Sequence, residues 1–473
     1  MEQKSKVNRW ITLTQHSSKT EPQLEGSQLN REILRLALPA LGALLAQPLF
    51  TTIDSAMVGH LGTEQLAGLA LSSTILMTAV GLFIFLAYST TSITARALGA
   101  GNIASGLRAG IEAIWLAALL GVITASVLII AAPTIISWFR ADASVIPHAI
   151  AYLQYSSPGL VGMLVVLAAT GTLRGLLDTK TPLYVATAGA GGNAALNAIF
   201  IYGLDMGIAG SGLGTAIAQT LMGITLVAVV IKGARHEGVS LKPSFGGLLG
   251  ATNAGLPLLV RTLTLRIAIL ATVAVVTRAG AVALAAHQVV NTVWNFAAFA
   301  LDALGISAQS LTGYSIGTGN RARTHALVHR ITIWGVATGA VLGLVIVAAS
   351  GLLPWIFGTD PIMHSAAMRG LWIAGGFQVL AGFVFMMDGV LIGAGDNRYL
   401  AVAGILTLVP YLPVLWIIVT VFADDKTLTA ATQTTVLMWV WVAFAGIFMG
   451  ARALTTGLRA RGSKWIAQAE STQ

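Results

Sequence analysis

One carboxylate stands near the start of the chain inside a hydrocarbon-length helix that Pro39 and Pro48 are expected to break: Asp54, within PALGALLAQPLFTTIDSAMVGHLG at residues 39–62. An ionisable group at that depth is costly unless it faces a cavity or a partner, so by default it marks an ion or proton pathway. The chemistry open to it is to gain and lose a proton, or to hold a monovalent cation in the proton's place. A plainer role is a structural carboxylate satisfied by the hydroxyls of Thr51, Thr52 and Ser55. Keeping a charge at the centre of a span costs about 2.5–3.5 kcal/mol, more than a hydroxyl cluster needs.

Asn193 and Asn197 lie one helical turn apart and share a face. The AGAGG run before them suits close helix packing, with interhelical hydrogen bonding as the simpler role and a cavity lining as the functional one. Tyr152, Thr170 and Thr215 are further cavity candidates. Farther on, Asp302 and Asp388 share the apolar second half with Arg261 and Arg266. Pairing is the usual way to tolerate such burial, so an ion pair of Arg261 with Asp302 or Asp388 stands beside a second ion or substrate site. Trp294, with Phe296 and Phe299, could offer a face to a cationic ligand or pack in the core.

Other groups read as ordinary. Arg174 with Asp178, and Asp396 with Arg398, suggest loop salt bridges at helix ends. His287 and the His325/His329 pair lack a third ligand, so no metal site is expected. Trp10, Trp138, Trp355 and Trp465 fall near the ends of apolar spans, where interfacial anchoring is the default. There is no GxxxxGK[ST], HExxH or GxSxG run, so neither an enzyme nor an ATP-driven pump is expected, and no cofactor.

The elements that must position these groups are membrane helices. Of 473 residues 56% are hydrophobic and only 10% charged, with a mean hydropathy of +0.80. No soluble domain keeps so few charges over such a length. Without cysteine there is no disulfide framework or thiolate chemistry. Twelve apolar segments can be marked, at 32–58, 67–96, 108–132, 148–173, 181–203, 209–232, 248–277, 281–311, 327–353, 365–392, 399–422 and 430–456. The fold class is therefore all-α integral membrane.

With both termini placed in the cytoplasm, 21 of the 27 lysines and arginines fall inside and 4 outside: Arg140, Arg278, Arg369 and Lys426. Arg261 and Arg266 lie within a span. The excess charge of +9 then reports membrane orientation, not nucleic-acid binding. The start of the chain, with Lys4, Lys6, Arg9 and Lys19 and no apolar core, reads as a cytoplasmic tail.

The two halves repeat. Pro39 and Pro257 lie 218 residues apart, and the same offset joins Gly62 to Gly280, Leu66 to Leu284, Gly99 to Gly317, Gly101 to Gly319 and Asn102 to Asn320. It still holds at Gly171 and Gly389, Gly175 and Gly393, and Asp178 and Asp396. Two homologous six-helix lobes follow. An even number of spans per lobe makes the repeat parallel, an arrangement that can rock about a central cavity as secondary transporters do. The boundaries expected are a tail over 1–31, one lobe over 32–232, a polar linker over 233–247, the other lobe over 248–456, and a tail over 457–473.

These features resemble the multidrug and toxic compound extrusion (MATE) family, DinF-like branch. The likeness rests on LALPALGALLAQPLFTTIDSAMVGHLG, ARALGAGN, GTLRGLLDTKTPL and SIGTGN, with AAHQVV, LDALGISAQSLTG and MMDGVLIGAGD as the DinF-like signals. The resemblance implies a twelve-helix, two-lobed antiporter exporting amphiphilic and often cationic compounds in exchange for protons, or else sodium; a monomer in the inner membrane, in contact with lipid, is expected. It places the ion-coupling carboxylate on Asp54, its neighbouring glutamine on Gln47, the helix-bending proline on Pro39 and cavity positions on Asn193 and Asn197. Many DinF-like members carry a carboxylate where this chain has Asn197, so coupling in this lobe would rest on Asp54 alone. A lipid-linked precursor flippase would want several arginines at depth, and an exporter of organic anions is left open by Arg261.

Overall fold

The computed structural model describes residues 26–139, 141–422 and 429–470. Lys4, Lys6, Arg9, Trp10, Lys19, Arg140 and Lys426 lie outside these residues. The first lobe holds α1 (Gly26–Gly59), α2 (Thr63–Gly99), α3 (Ile103–Ser137), α4 (Ile146–Ser156 with Gly159–Gly175), α5 (Lys180–Asn197 with Ala198–Gly203) and α6 (Gly207–His236). The second holds α7 (Phe245–Ala279), α8 (Ala281–Gly317), α9 (Arg321–Ala349), α10 (Pro361–Gly376 with Gln378–Ala394), α11 (Asn397–Phe422) and α12 (Ala430–Arg461). A short α13 (Lys464–Glu470) follows.

Nine of these helices are individually long and apolar enough to cross a membrane, and two more cross as bent pairs. The twelfth, α5, falls short of that apolarity because its glycines and two asparagines replace larger apolar side chains. The helices mostly outrun the marked segments, α1 beginning at Gly26 and α7 at Phe245. The expected proline breaks are not seen in α1, which runs unbroken through Pro39 and Pro48. Just past the second proline the Thr51 and Thr52 hydroxyls donate to the Pro48 carbonyl, within their own helix.

The repeat is visible in backbone conformation. Gly62 and Gly280 have φ of 144° and 123°, Gly101 and Gly319 have 74° and 71°, and Leu177 and Gly395 have 61° and 79°. Asn102 accepts from the Ser105 N–H to cap α3, as Asn320 accepts from Arg323 to cap α9. Both α4 and α10 bend, by 51° and 49°. Leu177 occupies the left-handed region that its counterpart fills with glycine, so the shared turn persists against a side-chain penalty.

The lobes meet at the end where Gly99 and Gly317 lie. A Cβ on Gly317 would sit 2.8 Å from the Gly99 Cα, so only glycine permits the approach there; one on Gly313 would sit 2.9 Å from the Ala95 Cβ, within about 1 Å of the separation a disulfide spans. Polar contacts tie the same end across the lobes. Ser92 donates to the Gly393 carbonyl (3.1 Å), Arg96 to Ala394 (2.6 Å) and Gln309 to Tyr88 (2.6 Å). Asn30 on α1 accepts from Arg330 Nε and Trp334 Nε1 on α9. Towards the other end the lobes part, and a cleft of about 350 Å³ opens between α2 and α7.

Rocking must undo these contacts. Because the chain has no native cysteine, an Ala95→Cys, Gly313→Cys double variant reports on them directly. Oxidation is expected to crosslink α2 to α8 and stop transport, with reduction restoring it. Undiminished transport by the crosslinked protein would show that this end never opens.

Candidate functional site

Asp54 is 3% exposed, enclosed by α1, α5 and α6. Its Oδ1 accepts a short hydrogen bond from the Asn197 amide, and its Oδ2 accepts from Thr215 Oγ1 at 3.2 Å. The Asn193 amide in turn donates to Thr215 Oγ1 (3.3 Å). Tyr152, 3% exposed, lies within electrostatic reach of the carboxylate. Helix α6 passes Asn197 at Gly214, where a Cβ would run into the amide oxygen. Directly after Asn197, α5 widens into a π-helical turn over Ala198–Gly203, a distortion frequent at functional sites.

The four residues Asp54, Asn193, Asn197 and Thr215 are thus one cluster. Two acceptors in it, Asn193 Oδ1 and Asn197 Oδ1, are buried without a partner. Unsatisfied buried acceptors cost about 1–3 kcal/mol each, and beside a carboxylate they form a set of oxygens suited to a proton or a small cation. Gln47 departs from expectation: its amide points to the Met77 sulfur on α2, 3.9 Å away, and makes no hydrogen bond to Asp54. Thr170 is buried in α4, and no hydrogen bond joins it to the Asp54 cluster.

Replacing Asn197 by Asp would set two carboxylates where one now accepts from an amide. Such a pair titrates jointly, so Asn197→Asp is expected to move the pH profile of exchange or to introduce sodium dependence. An unchanged profile for both would place residue 197 outside the ion path.

In the second lobe Asp388 on α10 accepts from Arg261 on α7 at 2.5 Å and also from Arg452 on α12 by a short contact. Of the two pairings considered, Asp388 is the partner of Arg261 and Asp302 is not. Arg452 reads in sequence as one of the 21 inside cations, yet it lies within the twelfth span and reaches Asp388. Asp302 is half-buried, within electrostatic reach of Arg174 and Arg261 but bonded to neither. This corrects the reading of Arg174, whose neighbours are Asp302 and Tyr88. Asp178 instead accepts from the backbone N–H of Lys180 and Thr181 at the start of α5. Asp396 pairs with Arg459 (2.6 Å), leaving Arg398 exposed.

Two aromatic expectations also change. Trp294 is 7% exposed and packs on Trp441 and Phe444, a core position and not a cavity wall. Trp465 is buried at 1% with Ile466 and Ala469, so it is a packing residue that holds α13 on the bundle and not an interfacial anchor. Trp138 and Trp355 are exposed, as anchoring requires. His287 is buried against Trp441, and among the described residues no three potential ligands gather to hold a metal.

Comparison with known proteins bears on the whole chain. The MatE family model matches residues 39–199 and again 257–417, two stretches separated by the same 218 residues as the repeat. The chain is 29% identical to Protein DETOXIFICATION 44, chloroplastic, of Arabidopsis thaliana, over 82% of this chain and 76% of that one. It is 25% identical to DNA damage-inducible protein F of Escherichia coli, over 85% and 91%. The Vibrio cholerae MATE transporter VcmN in the bent form superposes with a TM-score of 0.81 at 20% identity, covering 94% of this chain and 98% of that one. With its model matched once in each lobe and the fold shared end to end, the chain belongs to the MatE family of multi-pass membrane transporters.

Proposed function

We propose that the protein is a proton-coupled antiporter that exports amphiphilic compounds bearing a cationic group, by alternating access between its two lobes. The observation that carries this reading is the sealed carboxylate of Asp54, hydrogen-bonded by Asn197 and Thr215 beside two orphaned amide oxygens. When Asp54 is charged, the Asn197 amide and the Thr215 hydroxyl donate to it. When it is protonated, it becomes a donor itself, and a turned amide can present an oxygen in place of its nitrogen. The same cluster thus has two bonded arrangements, one per protonation state.

Coupling needs cargo and proton to favour different states of that cluster, since a ligand that binds both alike shifts nothing. A negative Asp54 stabilises a cationic cargo, and protonation from outside removes that attraction and releases it. Reorientation then exposes the proton to the inner side, where it leaves. The end closed by Gly99 and Gly317 is the cytoplasmic one on the lysine and arginine distribution, with both termini inside and the protein in the inner membrane. Sodium is the second reading, favoured by Asn193 Oδ1 and Asn197 Oδ1 as ready oxygen ligands.

The test is proton displacement. Adding ethidium to the detergent-solubilised protein in weak buffer is expected to release protons near neutral pH, and Asp54→Asn should release none. Binding of ethidium with no proton release at any pH between 5 and 8 would remove proton exchange from the mechanism.

A further inference from the structure

Arg266 is the charge that neither the Asp54 cluster nor the Asp388 cluster uses. It is exposed on α7 in the cleft faced by Ser73, Thr74, Met77 and Thr78 of α2. Among the described residues, no hydrogen bond or ion pair to Arg266 is present. With 35 residues in α7, Arg266 sits about 6 Å from the helix midpoint at 1.5 Å per residue. That is well inside a hydrocarbon core of about 30 Å. A guanidinium there with its donors free is expensive and marks a substrate or ion pathway by default.

Two plainer roles fit less well. Snorkelling would carry the head out along α7 to the nearer headgroups. Instead it reaches across to α2 at Gly81, where a Cβ would collide with the guanidinium. Gly81 lies roughly 28 Å down α2 from Gly62, against about 21 Å for Arg266 below the equivalent Gly280, so the head leans away from that surface. The second role is a cap for the carbonyls left free where α2 breaks after Leu82. Capping would require a hydrogen bond from Arg266 to one of them, and none is made.

We propose that Arg266 is the docking point for an acidic group, carboxylate, sulfonate or phosphate, carried by an amphiphile in the cleft. A guanidinium fork suits such groups, while Met77 and the Thr74 and Thr78 methyls supply an amphipathic wall. The hydroxyls of both threonines already donate to their own helix (2.8 and 2.7 Å), which leaves Arg266 the principal donor. Resting on the antiport reading above, the assignment narrows its cargo to amphoteric compounds, with the cationic group answering to Asp54 and the acidic group to Arg266. Met77 links the two sites, lining the cleft while contacting Gln47 two turns before Asp54.

The same acidic chemistry could come from cargo or from a lipid headgroup, and one experiment separates them. Rhodamine 110 carries a free carboxylate beside its cationic ring system, and its methyl ester rhodamine 123 keeps the cation alone. Equilibrium binding is measured by fluorescence polarisation in dodecyl maltoside, with and without phosphatidylglycerol. The free acid is expected to bind about tenfold more tightly than the ester, since a charge-assisted bond to one carboxylate is worth that ratio. Arg266→Gln should erase the difference and Arg266→Lys should keep part of it, at unchanged melting temperature. Binding of phosphatidylglycerol that depends on Arg266, with no discrimination between the dyes, would assign the site to lipid. Absence of any Arg266-dependent preference for either acid would overturn it. No gradient is involved, so this failure is distinct from failure of antiport, which shows as intact binding without pH-driven efflux.

Discussion

Asp54→Asn is expected to abolish efflux driven by a pH gradient while leaving insertion and folding intact. The substitution keeps the volume, and the asparagine oxygen can still accept from Asn197 in the place of Oδ1. Its new amide nitrogen can donate to the Thr215 hydroxyl, reversing that bond and freeing the hydroxyl proton to turn elsewhere. What disappears is the ability to change charge, and with it the difference between cargo-bound and proton-bound states. Transport in proteoliposomes should fall to the uncoupled background, with a melting temperature close to that of the parent. Retained pH-driven efflux at normal expression would mean that the buried carboxylate is structural.

The second large effect concerns the Arg261, Asp388 and Arg452 cluster. Removing one partner of a buried pair costs about 3–5 kcal/mol because a lone charge remains. Here the positions are unequal. Asp388→Asn leaves two guanidinium groups facing each other and should lower expression and melting temperature most. Arg261→Ala leaves Asp388 with Arg452 and should cost less. The double variant Arg261→Ala, Asp388→Asn strands Arg452 and should not recover. Replacing all three by apolar residues of similar size, Arg261→Met, Asp388→Leu and Arg452→Met, should recover stability, since exchanging a complete buried ion cluster for packing is often neutral. Transport by this triple variant is expected to survive, coupling being placed in the other lobe. A stable triple variant without transport would move coupling to the second lobe.

What could be read from the sequence, and what could not, divides along physical lines. The twelve spans and the 218-residue repeat were legible because hydropathy and unspaced glycine, proline and asparagine landmarks are one-dimensional signals. Asp54 was legible because a lone carboxylate in a span is conspicuous. Its partners were named only as same-face or cavity residues, and their convergence on one carboxylate needed the packing of α5 and α6 around α1. Arg452 was hidden for a different reason. Near the end of an apolar span a cation reads as a loop charge, and only the crossing of α12 with α10 carries it inward to Asp388. Trp294 misled because an aromatic at mid-helix looks alike whether it lines a cavity or meets Trp441. Pro39 and Pro48 read as breaks, yet α1 continues through both, because proline inside a membrane helix is tolerated where neighbouring helices enclose it.

The most direct measurement imposes the two ion gradients one at a time. Proteoliposomes loaded with rhodamine 110 are diluted to set either a pH difference at equal sodium or a sodium difference at equal pH, with the membrane potential clamped. Efflux is expected under the pH difference alone, accompanied by proton counterflow that Asp54→Asn removes. Efflux under the sodium difference with none under the pH difference would contradict proton coupling at Asp54.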